Sequence, residues 1–470
     1  MIRCGFSKTL ITPKLGTVMA GTMELKYTEG VLDDLYARAI SFDDGEKKAL
    51  LVSIDLCHMG TDVNNECRKR ISCECGIDYD AIMLTCTHTH AGPLANVDDA
   101  VNDRYSDEDV KRIKEYRDFL IERICEAARG AFENSVPSKF YIAVDKAEGI
   151  AHVRRYRLKD GSVATNPGMD WNSSGDPITC CPIPDNTDVL EALGRPNETV
   201  KILKILREGE KDICLVNYAL HATTAHVRKV SADFPGKLCS IVERAIDGVE
   251  CVFLQSAQGD ICQINRYPSE AEKKFLTEDN ENAGETLNKA RHVAQVLAAS
   301  VLKNYMTARE IDANKISFGA FPLELPANKK PDDNYEEALK IKKLHEEGRH
   351  HELPYQGMEL VTVLADARRI VRMHAESDTF RYSYFAIAFE DLVFLGLPGE
   401  FFAGIGDGIL ESSPYESTLL CAITNVRSTY FLTDAAYLEG GYEALTCNTG
   451  IGTEKILIQG AKKFLEDLKG

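Results

Sequence analysis

Long apolar runs are missing from this chain of 470 residues. A membrane-spanning helix needs about 18 consecutive apolar residues, and the most apolar region, 384–397, is interrupted by Glu390 and Asp391. The first residues, MIRCGFSKTLITP, also lack the apolar centre of a secretory signal peptide. We therefore expect no membrane span and a cytoplasmic location.

Positive charge is scarce relative to negative charge. The chain has 55 Lys and Arg against 73 Asp and Glu, which gives a formal net charge of -18. A surface this acidic repels phosphate backbones, so nucleic-acid binding is not expected. The expected partner is a small-molecule substrate, and the composition leaves the formation of a homo-oligomer open.

The C-x-x-C pairs of structural zinc sites are also absent, although the chain has 15 cysteines. The number is odd and no signal peptide is visible, so we expect thiols rather than disulfides. Most of them should behave as small buried apolar side chains.

Strand-like and helix-like segments alternate along the first half of the chain. The apolar runs 49–56 and 81–86 predict buried strands, and the intervening segment 63–73 is compatible with a helix. Helical periodicity over 107–132 follows Ser106, a suitable N-cap. This alternation predicts an α/β fold with a mixed central β-sheet flanked by helices.

No internal repeat, low-complexity tract or linker is visible in the sequence. We therefore expect a single domain over residues 1–470. Two polar segments within it, 156–197 and 268–285, predict loop excursions over the sheet. Long loops in a compact domain usually carry function or cover a site.

Histidines and a glutamate follow strand-like runs. His88 and His90 lie in the segment THTHAGP, His221 ends a second apolar run, and Glu400 follows a third in LGLPGEFF. In an extended chain the first two histidines would share a face. Zinc prefers imidazole and carboxylate ligands with one position open for water. The competing interpretation is structural: hydrogen-bonded loop histidines, and a glutamate that complements a helix dipole.

Three further features are ambiguous when each is taken alone. The turn Gln258-Gly259-Asp260 after a strand could bring backbone donors close to a ligand, or could simply connect two elements. Tyr430 and Tyr442 lie in polar surroundings near glycines. Most tyrosines pack their ring and hydrogen-bond their hydroxyl, so a structural role explains both.

Taken in order, these segments resemble the catalytic domain of the neutral/alkaline (non-lysosomal) ceramidase family. The matching pieces include GFSKTLITP at 5–13, DLYARA at 34–39, THTHAGP, the QGD turn and PGEFF, and they reach the region of Tyr442. The resemblance therefore covers most of the chain. It implies a ceramidase-like catalytic domain, without a counterpart of the C-terminal immunoglobulin-like domain that the family carries.

The resemblance also implies a site. Members of the family bind one zinc ion (Zn2+) through two His, one Glu and one Tyr, which correspond here to His88, His221, Glu400 and Tyr430. His90 corresponds to a histidine beside the substrate carbonyl. Tyr442 follows Tyr430 by twelve residues, which is the family spacing of a substrate-facing tyrosine. Arg154 corresponds to a family arginine, and the three are expected to be catalytic.

The family reaction is amide hydrolysis, so the expected activity is that of a zinc-dependent amidohydrolase. Manganese or iron could occupy the same donors. Two features depart from the family: Cys262 replaces a serine, with the following proline missing, and Arg155 and Arg157 join Arg154 in a cluster that suits an anionic or polar substrate. We therefore expect a small soluble substrate. The alternatives are a true ceramidase acting on N-acyl sphingosine, and a non-catalytic metal- or ligand-binding protein with the same fold.

Overall fold

The computed structural model describes residues 1–21, 25–96, 105–167, 188–224, 228–277, 285–426 and 429–470. The strands, numbered in chain order, are β1 (Arg3–Leu10), β2 (Gly30–Val31), β3 (Tyr36–Asp43), β4 (Lys48–Ile54), β5 (Ile82–Cys86), β6 (Val136–Lys146), β7 (His152–Val153), β8 (Arg155–Leu158), β9 (Val163–Thr165), β10 (Val189–Ala192), β11 (Thr199–Arg207), β12 (Asp212–Tyr218), β13 (Lys229–Val230), β14 (Val249–Gln255), β15 (Ile261–Cys262), β16 (Arg309–Ile311), β17 (Ser317–Pro326), β18 (Thr379–Ala388), β19 (Leu392–Gly396), β20 (Glu400–Phe401), β21 (Ser417–Cys421) and β22 (Tyr430–Phe431). The helices are α1 (Thr61–Cys75), α2 (Asp107–Glu133), α3 (Asp233–Ala245), α4 (Glu270–Thr277), α5 (Glu285–Asn304), α6 (Tyr335–Glu346), α7 (Gly357–Ala375), α8 (Ala403–Ser412), α9 (Asp434–Glu439), α10 (Tyr442–Thr446) and α11 (Thr453–Lys469).

The main strands form three units of one topology. In each unit three strands pair antiparallel in chain order, a helix follows, and a fourth strand pairs parallel with the third. The units are β1-β3-β4-α1-β5, β6-β11-β12-α3-β14 and β17-β18-β19-α8-β21. The topology is thus repeated although no repeat is visible in the sequence.

Two layers of sheet enclose the central core. The first two units join through antiparallel β1 and β6, and with β16, which pairs with β6, they form a nine-stranded sheet; the third unit forms a four-stranded sheet. Between the sheets lies an apolar cluster that includes Phe42, Phe140, Phe389 and Phe394. Helices α1, α2, α3 and α5 cover the outer face of the larger sheet, and α8 and α11 cover the smaller one. The mixed sheet flanked by helices confirms the predicted fold class.

Helix α2 shows how local sequence sets an element. The Ser106 hydroxyl accepts from the Asp109 N–H, and the Asp109 carboxylate accepts from the Ser106 N–H, which together form a capping box. Tyr116, Leu120 and Ile124 share one buried face of the helix against the sheet. The helix begins directly after Ser106, as predicted, because the capping box and the buried apolar face both favour a helix from this residue.

The two predicted excursions contain regular structure where they are described. Strands β8, β9 and β10 form a small sheet within 156–197, and residues 168–187 of that segment lie outside the described residues. In the segment 268–285, helix α4 packs on α5, and residues 278–284 lie outside the described residues. Among the described helices, none has both the length and the apolar character that crossing a membrane requires.

Candidate metal centre

Three side chains converge at the carboxyl ends of the strands. His88 follows β5, His221 follows β12 and Glu400 follows β19. Glu400 Oε2 lies 3.2 Å from His88 Nε2 and 2.9 Å from His221 Nε2, and all three residues are buried. Such strand ends are where α/β sheets commonly bind ligands. The sequence predicted all three residues for one site, and the fold brings them together.

Backbone carbonyls fix the orientation of both imidazole rings. His88 Nδ1 is 2.9 Å from the carbonyl oxygen of Cys57, and His221 Nδ1 is 2.9 Å from that of Gln258 and 3.0 Å from that of Ile261. With Nδ1 held by these oxygens, Nε2 is the ring nitrogen of each histidine that faces Glu400. Metal-binding histidines are usually oriented in this way.

His90 also lies at this site, but for a different structural reason from the strand alternation that the sequence suggested. His88 has a φ of 69°, in the left-handed region, so the THTH segment is not extended and strand alternation does not align the two rings. The turn instead places His90 Nε2 at 3.2 Å from His88 Nε2, while His90 Nδ1 contacts the Gly21 carbonyl oxygen at 2.9 Å. Cys57, His88 and His90 form a second group of potential ligands that shares His88.

The electrostatics of the three converging residues suit a cation. Burial, with Arg154 nearby, lowers the pKa of His221 to about 4, so its ring is neutral at pH 7. Burial alone would raise the pKa of Glu400, but the charge of His88 and the close approach of both imidazoles outweigh it and hold that pKa well below its usual value. One neutral imidazole and one carboxylate are therefore present before any metal binds.

The remaining predicted residues surround this group. Strand β20 pairs with β22 so that Glu400 and Tyr430 are register partners. The Arg154 guanidinium lies 5.1 Å from the centre of the Tyr430 ring, and the Tyr442 ring is 6.2 Å from that of Tyr430. Burial raises the pKa of Tyr442 to about 12, which keeps its hydroxyl protonated as a donor. All seven residues predicted for the site thus lie in one place.

Arg154 is held by a residue that the sequence reasoning missed. Glu443 is fully buried and accepts from Arg154 Nε at 2.7 Å, and its other oxygen lies 3.6 Å from Arg155 Nε. Arg154 Nη1 is 3.3 Å from His221 Nε2. Its buried Nη2 has no hydrogen-bond partner within the described part of the chain. The only sequence signal for Glu443 is its position beside Tyr442.

The other two arginines of the cluster bind carboxylates of the protein. Arg155 pairs with Glu439 at 3.2 Å and also donates to backbone carbonyls, and Arg157 pairs with Glu191 and Glu439. Carboxylates of the protein itself therefore neutralise the arginine charges that had suggested an anionic substrate. This removes the main sequence argument for such a substrate.

The QGD turn supports the site through its backbone. Besides the carbonyls that orient His221, the Gly259 N–H donates to the Phe401 carbonyl at 2.8 Å. A Cβ at Gly259 would lie 2.6 Å from the Glu400 carbonyl oxygen, so this close approach requires glycine. The Asp260 carboxylate accepts from the Ala403 N–H at 2.8 Å, and burial raises its pKa to about 6. Of the two roles considered for this turn, the described contacts match the structural one, since the turn supplies acceptors and packing.

Comparison with known structures agrees with this architecture. The neutral ceramidase from Pseudomonas aeruginosa matches with a TM-score of 0.68 and 15% sequence identity, over 100% of this chain and 75% of that chain. A structure of a ceramidase complexed with C2 matches with a TM-score of 0.68 and 14% identity, over 99% and 76% of the two chains. No family model and no curated protein matches the sequence. The chain therefore has the ceramidase fold, which confirms the predicted resemblance at the level of the fold.

Proposed function

We propose that the protein is a zinc-dependent hydrolase that cleaves an amide bond. The observation that carries this proposal is the approach of Glu400 Oε2 to within 3.2 Å of His88 Nε2 and 2.9 Å of His221 Nε2 in a buried site. Two imidazoles and a carboxylate are a common donor set of catalytic zinc sites. Tyr430, the register partner of Glu400, would be the fourth ligand. Zinc held there would activate a water molecule and polarise a carbonyl group.

The surrounding side chains can serve amide hydrolysis. Arg154 Nη2, buried and unpartnered among the described residues, would donate to the substrate carbonyl oxygen as negative charge develops on it. The Tyr442 hydroxyl would be a second donor to that oxygen. His90 would accept a proton through Nε2 from the attacking water and deliver it to the leaving amine nitrogen, while the Gly21 carbonyl fixes its ring.

The substrate class that we propose is a carboxylic amide, in which an acyl group is joined to an amine nitrogen. Our sequence-based preference for a small soluble substrate depended on an arginine cluster that the protein's own carboxylates neutralise. A second candidate is therefore ceramide itself, since the structures with the same fold are ceramidases. Small soluble amides and a short-chain N-acyl sphingosine should be assayed side by side.

The deciding experiment is metal analysis with and without the proposed ligands. We expect about one zinc per chain in the wild type after zinc is supplied, and its loss in His88→Ala and His221→Ala. His292→Ala is the control, because this half-buried histidine on α5 lies outside the site and should retain zinc. A zinc-supplied wild type that binds no metal would overturn the proposal. Hydrolysis of the amides by both histidine variants at the wild-type rate would also overturn it.

A further inference from the structure

A buried carboxamide connects the two loops that carry the histidines. Gln255 ends β14 and is fully buried. Its Nε2 donates to the Leu220 carbonyl at 2.7 Å and to the Thr87 carbonyl at 3.3 Å, and its Oε1 accepts from the Leu220 N–H at 3.1 Å. Both donors and the acceptor of one side chain are therefore used across two loops.

The two residues that Gln255 binds lie next to the proposed ligands. Thr87 immediately precedes His88, and Leu220 immediately precedes His221. Both are buried, so water cannot easily replace the bonds. The carbonyls that orient the imidazole rings come from Cys57, Gln258 and Ile261, so they fix each ring only relative to its own surroundings. Gln255 is the side chain that connects the two loops next to the ligands, beside one backbone bond from the His90 N–H to the Ala222 carbonyl at 3.1 Å.

We infer that Gln255 is a positioning residue that holds His88 and His221 at the separation a shared metal ion requires. It contacts neither metal nor substrate, and it acts through the backbone of the two loops. The inference rests on the proposed metal centre, and it means that Gln255 increases the affinity of that centre for its metal. Residues that orient metal ligands typically change affinity by about 10- to 100-fold when they are replaced.

The test compares Gln255→Met, which removes all three hydrogen bonds, and Gln255→Glu, which keeps the acceptor and the shape but loses both donors. The matched control is Asn217→Leu. Asn217 is also buried, and its Nδ2 donates to two backbone carbonyls, those of Leu254 on β14 at 3.0 Å and Leu420 on β21 at 2.9 Å, neither of which belongs to a histidine loop. Its loss should destabilise the protein by the same mechanism without moving the ligands.

Two measurements are made on each protein. Zinc affinity, measured by competition with a chelator, should fall about 10- to 100-fold in both Gln255 variants and stay at the wild-type value in Asn217→Leu. Amide hydrogen exchange of the metal-free proteins should become faster at 86–91 and 219–222 in the Gln255 variants alone. If one Gln255 variant fails to fold, the other decides.

Failure of this inference differs from failure of the proposed function. If the wild type binds zinc and the Gln255 variants bind it equally well, the positioning role is refuted and the proposed function stands. If the wild type binds no zinc, the proposed function fails, and hydrogen exchange then decides the positioning role by itself. Unchanged exchange in both loops would refute it.

Discussion

The substitution Glu443→Gln gives a sharp test of the electrostatics around the site. Glu443 is fully buried, and Arg154, only 8% exposed, donates to it at 2.7 Å. Replacing the carboxylate with an amide keeps its shape but leaves the guanidinium charge uncompensated in a dry environment. Breaking a buried pair in this way costs about 3–5 kcal/mol of unfolding free energy. We expect a loss in that range, measured by urea denaturation followed by circular dichroism.

Two further variants make the prediction specific. Glu439→Gln removes a carboxylate that also binds arginine but is 23% exposed, and it should cost less than Glu443→Gln because Arg155 keeps Glu443 at 3.6 Å and two backbone carbonyl acceptors. Adding Arg154→Met to Glu443→Gln should restore part of the lost stability, because the unpaired charge is then absent. The reasoning is refuted if Glu443→Gln costs no more than Glu439→Gln, or if the second substitution destabilises the protein further.

Three other predictions follow from individual contacts. Asp260→Asn should match the wild type in unfolding free energy at pH 4 and exceed it by about 3 kcal/mol at pH 7, measured by urea denaturation. The pKa of Asp260 is about 6 in the folded protein and about 4 in the unfolded chain, so ionisation of this buried carboxyl destabilises the fold increasingly as the pH rises through this range. A difference that stays constant from pH 4 to pH 7 would contradict this. Ser106→Ala should cost about 1 kcal/mol of unfolding free energy by removing the α2 cap, and no loss in denaturation would contradict the capping role. Zinc at a hundredfold excess over its Kd should stabilise the wild type by about 2.7 kcal/mol in thermal denaturation, and a chelator should reverse this; an equal response in His221→Ala would contradict the ligand assignment.

Local sequence patterns were sufficient to predict several strands and helices of the fold. The apolar run at 49–56 contains most of strand β4, the periodic segment at 107–132 is α2, and the apolar run that ends at His221 contains β12. Each element has a local signal in the sequence: the strands have an apolar run, and the helix has an N-cap followed by apolar residues at helical spacing. The seven predicted site residues were found through the family resemblance, since each motif alone had a structural explanation.

What the sequence did not predict depends on contacts between distant segments. Glu443 meets Arg154 across 289 positions, and Gln255 meets Thr87 across 168. No spacing rule links residues so far apart, and a buried glutamate or glutamine has no distinctive local pattern. The left-handed conformation of His88 was missed because histidine seldom adopts it, and here the bonds around the turn impose it.

The threefold repetition of one strand topology has a consequence for how the centre assembles. Each unit carries one of the three proposed ligands His88, His221 and Glu400. The complete proposed donor set therefore forms only after the last unit has docked, more than 300 residues after the first histidine along the chain. A fragment that ends before β17 lacks Glu400 and Tyr430, so it should bind zinc more weakly than the whole chain even if its own sheet is formed. Metal retention would thus report that the whole chain has folded, and an ion bound there would join the three units as a noncovalent cross-link.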